Sequence, residues 1–295
     1  MLTTELMNKI KQIELRTRRM VNDSFAGEYH SIFKGRGMEF DEVRLYQPGD
    51  EIRTIDWNVT ARTGNAYIKR YVEERELTVM LVVDMSASED FGSVNRFKRE
   101  LAAEITAVLS FAATTNNDKV GLLIFTDQIE LFIPPRKGRK HVLRLVRELL
   151  AFEPKGKGTD IKLALDTVNQ ILKRKSILFL VSDFLADPAG YRKELSMTNK
   201  RHDIIAVDLS DPMETTIADV GLVALEDPES GQIIWIDSSN MQWRQRFHER
   251  LADQEERKKR AFIQTGIDRI DIQTNKDYTV PLTNFFQQRA QRIKH

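Results

Sequence analysis

The 295-residue chain contains no cysteine, which excludes disulfides, zinc–thiolate sites, iron–sulfur clusters and thiol catalysis. Histidine is sparse, and the five present (His30, His141, His202, His248 and His295) show no ligand spacing. No apolar run approaches the ~20 residues that a membrane helix needs. The N-terminal MLTTELMNKIKQIELRTRRM also lacks the apolar core of a signal peptide. A cytoplasmic protein without direct membrane insertion is therefore expected. Charge of either sign is not in excess: 45 Lys and Arg face 44 Asp and Glu, a net charge of +1. No global field recruits nucleic acid, and none is expected as a partner. The one basic cluster, PRKGRKHVLRLVR, reads first as a solvated helix start at the sheet edge opposite the strand carboxyl ends, with a partner surface and then nucleic acid as the weaker alternatives.

What is present suits a globular chain: 41% hydrophobic and 30% charged residues provide material for a core. Leu2, Leu6, Ile10 and Ile13 follow helical spacing. Residues 21–76 then read as small strands broken by Gly and Pro-Gly-Asp turns. Within them Arg44, Asp50, Arg53, Asp56, Trp57 and Arg62 read as a structural or partner-docking set, with Trp57 anchoring a small core and the charges forming ion pairs against the main domain, and not as a catalytic set. From Leu77 the pattern becomes strand–helix alternation. TVMLVVD, KVGLLIFT and SILFLVSD are continuous apolar runs, as expected of strands buried on both faces. QIELFIP follows KVGLLIFT so closely that the two should pair as a hairpin. Residues 221–237 read as a strand, a DPESG turn and a second strand. A long polar helix follows from about Asn240, capped by Ser238 or Ser239. The expected organisation is an N-terminal helix and small β-rich subdomain over 1–76, then an α/β domain over 77–295 with a hairpin insertion near 221–237. Its core is a doubly wound, mainly parallel sheet with helices on both faces.

In such sheets ligands gather at the carboxyl ends of the strands. LVVDMSASEDFG delivers Asp84, Ser86 and Ser88 to that rim. KGKGTDI brings Thr159 to the entrance of a helix, with Asp160 placed in the first turn near the helix dipole. LFLVSDF ends a strand with Asp183. Two serines, a threonine and two aspartates form a hard-oxygen set that suits Mg²⁺, with Mn²⁺ and Ca²⁺ as the other candidates. Neutral hydroxyls would leave the ion electrophilic and able to accept a carboxylate from a partner. Glu89 and Asp90 read as solvated acids.

DMSAS, Thr159 after glycines, and Asp183 resemble the metal-ion-dependent adhesion site of von Willebrand factor A domains, over about Leu77 to Ser210. GRGMEFDEVRLYQPGDEIRTIDWNVTAR, then YVEERELTVMLVVDMSASEDFG, resembles the bacterial MoxR-associated family known as domain of unknown function 58, and the later SDPME and EDPESG segments fit it too. The resemblance implies a von Willebrand A-like, Rossmann-type domain with a small β-rich element. It also implies a MoxR-type AAA+ ATPase as partner. Many relatives carry membrane spans ahead of this region, so a short soluble member is expected.

The implied function is a non-enzymatic, metal-dependent protein-binding adaptor in assembly, maturation or regulation of a complex. The alternative is a metal-dependent hydrolase on the same Asp/Ser/Thr rim. It has less support, because Ser86 stands where a haloacid-dehalogenase phosphotransferase needs a second aspartate. A Gly-x-Ser-x-Gly elbow is also absent. KGKGTD lacks the Gly-Lys-Ser/Thr ending of a Walker P-loop.

Overall fold

The computed structural model describes residues 11–13, 15, 29, 39–72, 76–90, 92, 97–215, 219–226 and 232–294. The chain divides into two compact units, one of residues 33–77 and one joining 1–32 to 78–295.

In the smaller unit, β1 (Glu39–Leu45) pairs antiparallel with β2 (Tyr67–Val72). Between them runs a short helix, α1 (Trp57–Thr63), where only strands and turns are expected from sequence. Its start is set by Asp56, whose carboxylate accepts from the amides of Asn58 and Val59. Gly64 ends it at φ 78°, a left-handed cap that glycine adopts without a Cβ clash. The Pro-Gly-Asp turn is stapled by Arg44, whose guanidinium donates to both oxygens of Asp50 at 2.9 and 2.8 Å. This pair lies within the small unit, whereas the sequence suggests ion pairs made against the main domain. Trp57, expected to anchor a small core, is instead 67% exposed.

The larger unit is built on a six-stranded sheet. Its strands are β3 (Thr78–Asp84), β4 (Lys119–Phe125), β5 (Ile129–Arg136), β6 (Ile177–Ser182), β7 (Asp203–Ser210) and, after a separate hairpin of β8 (Leu222–Glu226) and β9 (Ile233–Asp237), β10 (Asp268–Gln273). Their order is β10-β7-β6-β3-β4-β5. All neighbours are parallel except β5, which returns antiparallel beside β4 as the hairpin expected of QIELFIP. Pro134 and Pro135 lie near the end of β5, where an outer edge tolerates a missing amide donor.

Alternation along β3 sends Met80 and Val82 to one face and Val79, Leu81 and Val83 to the other. The first pair joins a core completed by α4 (Ile161–Ile171) through Ile161, Leu165 and Val168, α5 (Arg192–Arg201) through Leu195, and α6 (Met241–Thr265) through Phe262. On β3 and β4 packs α2 (Lys98–Thr115), with Leu101, Ile105, Val108 and Leu109 buried. Helix α3 (Arg139–Leu150) lies against α2. The closing helix α7 (Thr279–Lys294) buries Phe286, whose ring lies 6.0 Å from that of Tyr29. The predicted N-terminal helix falls mostly outside the described residues; 11–13 and 15 are helical, and Ile13 is buried.

The expected hairpin forms from β8 (Leu222–Glu226) and β9 (Ile233–Asp237), antiparallel to each other. The cap of α6 is not a serine. Asn240 accepts from the Trp243 amide, while Ser238 donates to the Gly221 carbonyl at 2.7 Å and closes the base of the hairpin. No described helix is long and apolar enough to cross a membrane.

The sheet order reverses direction at β3: the chain steps outward through β4 and β5, then returns to the other side of β3 as β6. The crevice of a doubly wound sheet opens at such a switch point. Asp84 ends β3 there, beside Phe125 of β4, and the β3–β6 register that pairs Val83 with Val181 puts Ser182 next along the rim.

The loop carrying Thr159 is docked on the neighbouring β4–β5 turn. Glu130 accepts from the amides of Lys155 and Gly156 at 3.0 and 2.7 Å, and the Asp160 amide donates to the Thr126 carbonyl. Gly156 permits this approach: a Cβ there would stand 1.9 Å from Asp127 Oδ1 and 2.2 Å from Thr126 Oγ1. Gly156→Ala is expected to lower stability by about 1–3 kcal/mol, the usual range for overpacking, with chemical denaturation as the check.

Candidate metal centre

Local hydrogen bonds fix the segments that carry the expected rim residues. After β3 the backbone turns through a 3-10 segment, Ala87–Asp90. The turn is fixed from inside by Asp84, whose Oδ1 accepts from the Ser86 amide at 2.9 Å. The hydroxyls of Ser86 and Ser88 then face each other at 3.1 Å. The Ala87 amide donates to the Lys157 carbonyl at 2.9 Å, which brings the Gly-rich loop with half-buried Thr159 against this turn. Asp160 caps α4, accepting from the Leu163 amide at 2.8 Å.

From the neighbouring strand, Ser182 Oγ donates to Asp84 Oδ2 at 2.7 Å and accepts from the Phe184 amide at 3.1 Å. Phe184 sits at φ 52°, a conformation uncommon for a large side chain. Edge-on packing against Phe262, centroids 5.1 Å apart, helps hold it. The bend turns Asp183 inward, 2% exposed. Its Oδ1 accepts from the Leu185 amide, and its own amide donates to Glu89 Oε1 at 3.1 Å.

Glu89 is the correction to the sequence reading. Expected as a solvated acid, it is 1% exposed and belongs to the cluster. Asp84, Glu89 and Asp183 each bring a carboxylate oxygen within 4.8 Å of the others, a grouping able to hold a metal ion. Asp84 has both oxygens hydrogen-bonded, but Glu89 Oε2 is buried with no hydrogen-bond partner. A buried carboxyl oxygen left unpaired costs free energy that a cation would recover. This orphan oxygen and the hard donor set fit a divalent ion.

Among the described residues, two cations approach from outside the predicted set. Lys98, first residue of α2, is fully buried and reaches Asp183 Oδ2 at 2.7 Å and Glu214 Oε1 at 2.5 Å. Lys258 of α6 extends to the Asp183 carbonyl at 3.4 Å. The same ammonium pairs with Asp208 at 2.7 Å, and Arg269 joins Asp208 at 2.9 Å. Gln254 of α6 donates to the Leu185 carbonyl at 2.8 Å, so one helix braces the whole bend. No sequence signal marked Lys98 or Lys258 as site residues, because each reads as a routine helix lysine.

Burial dominates the electrostatics. It pushes the Asp84 carboxyl up to about 7, and the nearby Asp183 charge adds to the rise. Burial and the charge of Asp183 also raise Glu89 well above its usual value. Asp208 is pushed up to about 7 by burial, against the pull of Lys258 and Arg269.

The assembly defines a doubly wound α/β protein with a buried acidic cluster at its topological switch point. A family model described as "Protein of unknown function DUF58" matches residues 42–257, and the chain belongs to that family. The uncharacterized protein Rv1480 of Mycobacterium tuberculosis is 31% identical over 287 residues, 97% of this chain and 90% of that protein. Among solved structures, BatB from Bacteroides thetaiotaomicron is similar with a TM-score of 0.49 at 14% identity, covering 73% of this chain and 99% of that one. A von Willebrand factor type A protein from Catenulispora acidiphila gives 0.41 at 11% identity, covering 76% and 43%.

A carboxyl raised in the folded state favours folding at low pH, and its contribution is lost as pH rises through the folded value. For Asp84 that window runs from its ordinary 3.8 to about 7. In EDTA, the melting temperature is expected to fall between pH 5 and pH 7.5, and Asp84→Asn to flatten that fall. A rise over the same window contradicts the assignment.

Proposed function

We propose that this chain is a non-enzymatic protein-binding adaptor that works through a divalent cation, Mg²⁺ first, held at the carboxyl end of the sheet. The observation that carries the reading is the convergence of Asp84, Glu89 and Asp183 within 4.8 Å, buried and with Glu89 Oε2 unpaired. Asp84, Ser86, Ser88, Thr159 and Asp183 would hold the ion, with Glu89 beside them. Oxygen ligands of this kind suit Mg²⁺, which keeps open positions for water or an added carboxylate. The ion would supply an electrophilic contact for an Asp or Glu of the partner.

The partner proposed is a MoxR-type AAA+ ATPase, as the family resemblance implies. The rim residues are more enclosed than an open docking site: Asp84, Ser86, Ser88, Glu89 and Asp183 are all buried. Partner engagement therefore includes a shift of the loops that cover them, and ion and partner favour the same opened state. The hydrolase alternative needs a base free to take a proton from water. In the closed arrangement Asp84 and Asp183 use both oxygens in hydrogen bonds and Glu89 is buried, and in the opened one the same oxygens would be taken by the ion.

The test is co-purification of a tagged chain with the candidate ATPase in Mg²⁺ or EDTA. Wild type is expected to retain it only in Mg²⁺, and Asp84→Ala to lose it while keeping a native circular dichroism spectrum. Equal recovery by Asp84→Ala would sink the mechanism.

A further inference from the structure

The ammonium of Lys98 occupies a place that the metal reading leaves unexplained. Its side chain is 0% exposed and donates to Asp183 and Glu214 together. Burial opposes its charge, but Asp183, Glu89 and Glu214 outweigh that and raise its pKa, so it stays an ammonium. Asp183 Oδ2 thus already has a cation at 2.7 Å. A divalent ion drawn to the same carboxylate would meet that positive charge at close range, where low-dielectric surroundings leave the repulsion strong. The second acceptor differs in kind. Glu214 lies on the one-turn helix Pro212–Thr215 after β7. Its other oxygen is held by the Asp211 amide at 3.0 Å, and its side chain keeps 20% of its surface exposed. The lysine stem is flexible enough to leave one acceptor and keep the other.

We infer that Lys98 is a tethered counter-cation that competes with a divalent ion for Asp183, and that Glu214 retains the ammonium once the ion has entered. The inference rests on the metal reading above and adds how that site is regulated. Without metal, Lys98 balances part of the buried carboxylate charge and keeps the bend closed. With metal, its contact with Asp183 is given up, which lowers the ion's affinity. A partner carboxylate that strengthens ion binding then shifts the balance, so ion and partner bind cooperatively.

The experiment is calorimetric titration of Mg²⁺ into the full chain as wild type, Lys98→Met, Glu214→Gln and the double variant. Lys98→Met is expected to bind Mg²⁺ at least about tenfold more tightly, within the usual range of coupling between sites. Glu214→Gln is expected to bind several-fold more weakly, because the ammonium loses its alternative acceptor. In the Lys98→Met background Glu214→Gln should have no effect, since there is no ammonium to retain. Unchanged or weaker binding by Lys98→Met overturns the inference. So does equal weakening by Glu214→Gln in both backgrounds, which would make each group a background charge. If no variant binds Mg²⁺, the metal reading itself fails, and this inference falls with it. Should Lys98→Met not fold, Lys98→Gln replaces it with the same expectations.

Discussion

The structure turns on three carboxylates, Asp84, Glu89 and Asp183, brought within 4.8 Å of one another inside a protein. Like charges at that range in a low-dielectric setting cannot all stay ionised without compensation. The surroundings supply it in parts. Asp84 takes one amide and one hydroxyl hydrogen bond, Asp183 takes an amide and the Lys98 ammonium, and Glu89 takes the Asp183 amide. What is left over is one unpaired oxygen and raised pKa values on Asp84 and Glu89. That residue of unbalanced charge is the physical reason to expect a cation, and it arises because β3 and β6 are neighbours at the switch point.

The elements around the cluster hold it from three directions. α2 begins at Lys98, so the helix and its buried ammonium are aimed at the rim together. Glu130 and Gly156 dock the Thr159 loop on the β4–β5 turn. On the other side, α6 places Lys258 and Gln254 on the backbone of the Ser182–Leu185 bend, and a second buried network of Asp208 and Arg269 anchors that helix. The left-handed Phe184 is tolerated because its amide bonds Ser182 and its ring is packed.

The parallel sheet was legible because buried strands such as TVMLVVD and SILFLVSD are apolar without interruption, and tight connections such as the one at Asp127 allow only a hairpin. Asp84 and Asp183 stand at the ends of such runs, and Ser86 and Ser88 lie in the turn that follows Asp84, which is why they read as rim residues. Glu89 was not, since the 3-10 turn that folds it inward is set by hydrogen bonds that composition does not reveal. Lys98 and Glu214 were hidden for another reason: 116 positions separate them, and only the fold unites them. Helix α1 was missed because its main signal, Asp56 as a cap, sits among residues that equally suit turns. The cap of α6 falls at Asn240, one or two residues past the expected serines, because Ser238 is drawn into the hairpin base.

Anomalous diffraction from crystals grown with Mn²⁺, which takes the same oxygen ligands as Mg²⁺, tests the central claim most directly. An anomalous peak bounded by Asp84, Ser86, Ser88, Thr159 and Asp183 is expected, with the Lys98 ammonium withdrawn toward Glu214. Mn²⁺ bound elsewhere, with Lys98 still on Asp183, would contradict it.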